Sequence, residues 1–156
     1  MEVNGYAGGE MKICIVSSCG GHLTEVRALK PAFSAHEHFY VLNELVALSE
    51  DMQQRTYFIR HSERDWRFVL NLWEAWKILR RERPHLILST GAGPAVPFAI
   101  VGKILRVPNI FIETFTRVNK PSLTGRMMYH LADRFFYQWR ALEGFFPAGV
   151  YGGPLV

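Results

Sequence analysis

The sequence predicts a doubly wound α/β fold built on a parallel, Rossmann-like sheet. Three observations carry that expectation. Apolar runs of strand length alternate with longer stretches of helical periodicity, glycine, serine and proline punctuate the joints, and the strand-helix-strand unit recurs along the chain. Parallel neighbours need a crossover, and each crossover helix must pack back onto the sheet, so both faces are covered. Hydrophobic residues make up 49% and charged residues 21% of the chain, which excludes a disordered or collagen-like polypeptide. A chain of 156 residues is one domain in size. It buries enough surface on folding, roughly 69% of the extended chain's, to need no disulfide or metal staple.

Residues 1–11 lack periodicity and read as a flexible leader, which leaves 12–156 as a single domain. The first strand is 12–18, and the Gly20-Gly21 pair opens a helix over 22–33. Aromatic and β-branched runs place strands at 38–42 and 56–60. A helix follows over 65–82, then a strand at 86–90 and a helix over 94–106 that starts on Pro94, a residue suited to a first helical turn. Strands at 109–114 and 133–137 flank a last helix over 122–132. The expected sheet order is 3-2-1-4-5-6, and sheets of this kind bind ligands at the carboxyl ends of their strands. Gly152-Gly153-Pro154 after the sixth strand reads as a hinge toward a second domain.

The helix over 65–82 carries more apolar surface than a sheet contact needs. Its apolar side chains, Trp66, Trp73 and Trp76 among them, spread over an arc of roughly 220° with arginines and lysines on the flanks. That pattern suits a helix buried within the chain, a helix lying on a membrane surface or a subunit contact. No run of about 20 apolar residues could span a bilayer. Net charge is +4, and the stretch from Lys103 to Arg140 holds seven Lys/Arg against Glu113 and Asp133. Such a face is either solvated or directed at an anionic partner.

Three loops could carry chemistry. The first, Ser17-Ser18-Cys19-Gly20-Gly21-His22, joins a strand to a helix start. Its glycines admit a close ligand and its free amides favour phosphate, although a ligand-free turn has the same pattern. His22 at the positive end of the helix suits a neutral general base, or a capping residue, and Glu25 is spaced to reach it. The second loop, Ser89 to Pro94, carries Gly91 and Gly93; it half-matches a dinucleotide fingerprint with Glu113 downstream, which keeps an oxidoreductase as a rival. The third runs from Glu113 through Arg117 and Lys120 to Ser122. Glu113 could bind a sugar hydroxyl and the two cations an anion, or the three could brace the loop as ion pairs. His36 and His38 complete no metal site. Cys14 and Cys19 read as free thiols, because an extended segment of that length spans roughly 16 Å.

The combination of SSxGGH, STGAGxAVP, the Glu113 loop with KPSLTGR, Tyr137-Gln138-Trp139 and YGGPL resembles the Alg14-like family, which includes PssD-type exopolysaccharide and capsule subunits. More distantly, the loops after strands one and four resemble those of the peptidoglycan glycosyltransferase that acts on undecaprenyl-diphosphate substrates. The resemblance implies the N-terminal, acceptor-binding half of a GT-B glycosyltransferase, active with an Alg13-like (PssE-type) donor-binding subunit. It further implies a UDP-sugar donor on the partner and no cofactor or metal on this chain. The acceptor would be a polyprenyl-diphosphate-linked saccharide, not nucleic acid, met peripherally at the cytoplasmic membrane face. On this comparison His22 and Glu113 are expected to be catalytic, and Ser18, Gly20, Gly21, Gly91, Gly93, Arg117 and Lys120 to bind the acceptor or its phosphates. Trp66, Trp73 and Trp76 are expected to meet membrane or partner. The rival within this family is a non-catalytic scaffold that recruits its partner to the membrane.

Overall fold

In the structure, a computed structural model, residues 9–43, 48, 50–53, 55–60, 66–91 and 93–155 are described. Most of the expected leader and the first residue of the helix expected from Asp65 lie outside these residues. The strands are β1 (Lys12–Ser17), β2 (Glu37–Leu42), β3 (Thr56–Phe58), β4 (Leu86–Ser89), β5 (Asn109–Ile112), β6 (Arg134–Tyr137) and β7 (Val150–Tyr151). The helices are α1 (Gly21–Ala28), α2 (Lys30–Phe33), α3 (Glu50–Gln53), α4 (Arg67–Glu82), α5 (Ala95–Leu105) and α6 (Leu123–Leu131).

All strand pairs are parallel and the order is β3-β2-β1-β4-β5-β6-β7. The chain builds outward from β1 to β3, then returns to the other side of β1 with β4. That reversal opens a crevice between the loops leaving β1 and β4.

Alternate residues of β1 serve opposite faces, as the two-residue period of a strand requires. Ile13 and Ile15 pack with Leu23, Val26 and Phe33 of α1 and α2. Cys14 and Val16 pack with Ala75, Ile78 and Leu79 of α4 and Phe98 and Val101 of α5. A third cluster joins α5 and α6 to Phe111, Phe135 and Phe146. Burial on both faces explains why the strand reads as an unbroken apolar run.

Two departures from the sequence expectation have local causes. The helix expected over 22–33 is two helices, because Pro31 has no N–H to continue the hydrogen-bond ladder. The Tyr151-Gly152-Gly153 segment, expected to follow the last strand, contains part of a seventh one: Tyr151 pairs with Tyr137, and the Gly152 N–H donates to the Tyr137 carbonyl at 3.0 Å. Two residues are too short to display a period.

Opposite the crevice, at the amino ends of β1 and β2, Lys12 Nζ lies 2.6 Å from Glu82 and 3.3 Å from Glu37, and the Tyr57 hydroxyl donates to Glu82. The Lys12 ammonium and then the Tyr57 hydroxyl hold the Glu82 carboxyl below its ordinary value of 4.5. A depressed carboxyl contributes stability that is present above its unfolded value and lost as pH falls through the folded one. Glu82→Gln is expected to lower stability at neutral pH by about 2 kcal/mol. Its unfolding midpoint in urea should converge on that of the wild type as both are acidified below about pH 4.5.

Candidate functional site

β1 ends where the backbone must turn sharply into α1. Gly20 holds φ at +91°, a conformation that side chains oppose, and Gly20 and Gly21 lie exposed at the helix start. No side chain caps α1, so this end of the helix remains open to an anion. Ser18 is buried beneath the turn, and its carbonyl accepts the Ser17 hydroxyl at 2.9 Å.

His22 is turned toward the β4 loop. Its Nδ1 lies 3.0 Å from the Thr90 carbonyl, while the Thr90 hydroxyl donates to the His22 carbonyl at 3.1 Å. A carbonyl can only accept, so Nδ1 carries a proton, and in a neutral ring Nε2 is the nitrogen left to accept. Gly91 is what admits the ring. With φ at +125°, it would place a Cβ 3.0 Å from His22 Cε1 and 3.1 Å from Nδ1. Gly93 is exposed ahead of α5, whose start Pro94 caps without a side-chain bond; Ala92 lies outside the described residues.

Glu25, one turn after His22, is wholly buried. Its Oε2 lies 3.4 Å from His22 Nδ1. Its Oε1 accepts the Phe115 backbone N–H at 2.8 Å and the Gln138 side-chain amide at 2.7 Å. The β5 loop is thereby joined to α1, and the Phe115 ring reaches the same place: a Cβ on Gly21 would touch its Cε1 at 4.0 Å. Trp139 Nε1 donates to the Phe115 carbonyl at 2.6 Å. The loops after β1, β4, β5 and β6 therefore meet around His22.

Glu113 has a different place from the one expected of a residue in contact with the acceptor. It is 0% exposed, and both carboxylate oxygens are taken by its own loop. Oε1 accepts the Thr114 N–H at 3.1 Å and the Ser122 hydroxyl at 2.8 Å, and Oε2 accepts the Ser122 N–H at 3.1 Å. Burial pushes its carboxyl above the ordinary range, opposed by the Ser122 and Thr114 donors and the Arg117 charge. Ser122 in turn caps α6, accepting the Gly125 N–H at 2.7 Å. The carboxylate braces the loop and touches no open surface. That geometry also removes the ribose-binding acid which the dinucleotide rival requires. Arg117 and Lys120 stand exposed on the same loop.

On α4, Trp66 and Trp73 are 69% and 61% exposed. Trp76 instead packs half-buried against the core cluster under α4 and stacks with Arg80 at 5.6 Å. Trp76 lies about 60° round the helix from Trp73, on the side of Leu72 and Leu79, which borders the buried face. Among the described residues no group of three His, Cys, Asp or Glu side chains could hold a metal, and no helix is long and apolar enough to cross a membrane.

The sequence signature described as "Oligosaccharide biosynthesis protein Alg14 like" matches residues 64–155. The chain belongs to the Alg14-like family. The human UDP-N-acetylglucosamine transferase subunit ALG14 is 26% identical to it over 180 residues, covering 94% of this chain and 83% of that protein. A UDP-N-acetylglucosamine--N-acetylmuramyl-(pentapeptide) pyrophosphoryl-undecaprenol N-acetylglucosamine transferase from Nitrosomonas europaea is 33% identical over 69 residues, covering 44% of this chain and 18% of that protein. In fold, the Alg14-like chain is similar to a UDP-N-acetylglucosamine 2-epimerase from Rickettsia bellii, with a TM-score of 0.73 and 12% identity over 94% of the chain. It spans 46% of that enzyme's length.

Sequence reasoning singled out His22, Gly91 and the β5 loop but left Thr90 and Gln138 without roles. Gln138 is 1% exposed and bonds to Glu25, to the Glu113 carbonyl and to the Leu155 N–H. A polar residue at the carboxyl end of a buried parallel strand was the available signal.

Proposed function

We propose that this chain is the acceptor-binding subunit of a two-component inverting GT-B glycosyltransferase in polysaccharide biosynthesis. It contributes the N-terminal Rossmann-like half, and an Alg13-like (PssE-type) partner supplies the UDP-sugar site. The acceptor is a polyprenyl-diphosphate-linked saccharide at the cytoplasmic membrane face. The observation that carries this reading is the His22 imidazole, held through Nδ1 at the meeting point of the loops with Nε2 left as its acceptor. The names of the relatives, UDP-N-acetylglucosamine transferases among them, support sugar transfer and favour N-acetylglucosamine as the donated sugar.

In the reaction, Nε2 of His22 takes the proton of the acceptor hydroxyl as its oxygen bonds to the anomeric carbon of the donor. The bond from that carbon to UDP breaks on the opposite face, UDP leaves with the electron pair, and the configuration inverts. Glu25 offsets the charge that the ring gains. The open start of α1 at Gly20 and Gly21, Gly93 ahead of α5, and the exposed Arg117 and Lys120 are suited to hold the acceptor diphosphate. Ser18, Gly91 and Glu113 act one step back, by shaping the loops. No cofactor or metal is assigned to this chain.

A second reading, a membrane-recruiting scaffold with every catalytic group on the partner, is favoured by the exposure of Trp66 and Trp73 beside Lys77 and Arg67 on α4. Peripheral membrane contact through this face belongs to both readings.

The test is reconstitution on vesicles carrying a polyprenyl-diphosphate-linked sugar, with labelled UDP-N-acetylglucosamine. Transfer is expected when this chain and its donor-binding partner are combined and not with either alone. Transfer by this chain alone would refute the two-component assignment.

A further inference from the structure

The network behind His22 reaches farther than a base and its neighbour. Glu25 is 0% exposed, and its Oε2, which accepts no hydrogen bond among the described residues, lies 3.4 Å from His22 Nδ1. What turns that oxygen toward the ring is the capture of Oε1 by two donors, the Phe115 N–H at 2.8 Å and Gln138 Nε2 at 2.7 Å. Gln138 could present either end of its amide to Glu25, and only the nitrogen end can donate. The Glu25 and Glu113 oxygens, which can only accept, require the nitrogen end, and Leu155, whose backbone N–H donates to Gln138 Oε1 at 2.8 Å, secures the oxygen end on the other side. The Nε2 end is then committed to Glu25 and to the Glu113 carbonyl at 3.0 Å.

We propose that Leu155, Gln138 and Glu25 form a positioning relay for His22: the Leu155 N–H secures the Gln138 amide, the amide sets the Glu25 carboxylate, and the carboxylate, beside the Thr90 carbonyl that accepts from the same nitrogen, holds the imidazole with Nδ1 inward and Nε2 toward the acceptor. Glu25 and Gln138 are positioning residues that do not touch substrate. The proposal rests on His22 as the base, deepens that assignment, and gives the Gly152-Gly153-Pro154-Leu155 segment a mechanistic role as the outer support of the base. Two carboxylates and one amide share this interior, and the division of labour is physical. Glu113 faces its own loop through Ser122, while Glu25 faces the ring. The Gln138 amide bonds to the second side chain and to the first one's backbone, so the β5 loop and the base are aligned by one group.

The experiment reads the His22 ring directly, by nitrogen NMR of the imidazole in the full chain, and needs neither partner nor substrate. In the wild type the neutral ring is expected as the Nδ1–H form. Glu25→Gln and Gln138→Leu should move its nitrogen signals measurably toward those of an untethered histidine, while the Thr90 carbonyl, which still accepts from Nδ1, keeps the Nδ1–H form the major one. Should Gln138→Leu fail to fold, Leu155→Pro removes only the outermost donor and should shift the ring in the same direction, while Leu155→Ala, which keeps the N–H, should not. A wild-type ring in the Nε2–H form, or ring signals unchanged in folded Glu25→Gln and Gln138→Leu, overturns the relay; a purely structural role for Gln138 would lower the melting temperature and leave the ring alone. In the reconstituted pair the same two variants should lose kcat by on the order of 10² with KM within about twofold of wild type. A reconstituted wild-type pair that transfers no sugar, with the ring signature intact, would refute the assignment of the base while leaving the relay standing.

Discussion

Replacing His22 by glutamine is expected to reduce sugar transfer by the reconstituted pair by 10² or more, with little change in folding stability. Glutamine can still donate to the Thr90 carbonyl and can still occupy the space over Gly91 that the ring fills at 3.0 Å from a hypothetical Cβ. It retains the positioning bond and loses the basic nitrogen. General-base assistance is worth about 10² to 10⁴ in rate, so the loss should fall on kcat, and binding of the acceptor should survive. His22 is a quarter exposed and lies at the rim of the fold, so the melting temperature should stay within a few degrees. The same variant discriminates between the two readings of this subunit. A scaffold whose partner carries the chemistry would retain full turnover with glutamine in place of His22, and that result would remove the base from this chain.

Gly125→Ala should have the largest effect on the protein itself. A Cβ at this position would fall inside the Glu113 carboxylate, 2.6 Å from its Cδ and 3.0 Å from Ser122 Oγ. Neither neighbour can yield cheaply. Glu113 is held by the Thr114 and Ser122 donors, and Ser122 is the cap of α6. Overpacking of this kind costs about 1–3 kcal/mol, and loss of the cap adds about 1 kcal/mol. A total near 3 kcal/mol corresponds to a fall of roughly 10 °C in melting temperature for a chain of this size. Activity should fall further than stability explains, because the displaced loop carries Phe115, whose N–H holds Glu25, and the exposed Arg117 and Lys120. Pairing Gly125→Ala with Glu113→Asp, which withdraws the carboxylate by one methylene, should restore part of the melting temperature. If the double variant is less stable than Gly125→Ala alone, the clash is not the cause.

Glu113 shows how a residue can be placed by sequence while its partners are not. An acid at the carboxyl end of a parallel strand suggests a ligand contact, and two nearby cations suggest an anion site. Its actual partners, Thr114 and Ser122, are uncharged, and the loop between them folds back so that its own donors saturate the carboxylate. Nothing in the spacing of Glu113 and Ser122 announces that closure. Glu25 is the converse case. Its spacing from His22 made the contact permissible on a helix, yet the bonds that aim it come from Phe115 and Gln138, 90 and 113 residues away.

The primary structure alone determined the class and order of the sheet, since apolar runs buried on both faces leave a signature that neither turns nor loops can imitate. It also placed the starts of α1, α5 and α6 within a residue, because glycine, proline and serine act through local backbone geometry, while the short α2 and α3 left no signal in it. Tertiary structure decided which loop residues face a ligand and which face one another, that Trp66 and Trp73 stay exposed while Trp76 is drawn inward, and that a short seventh strand brings Leu155 back to Gln138. These are contacts between segments far apart in the chain. Their free energy depends on distance in space, on which one-dimensional periodicity carries no information.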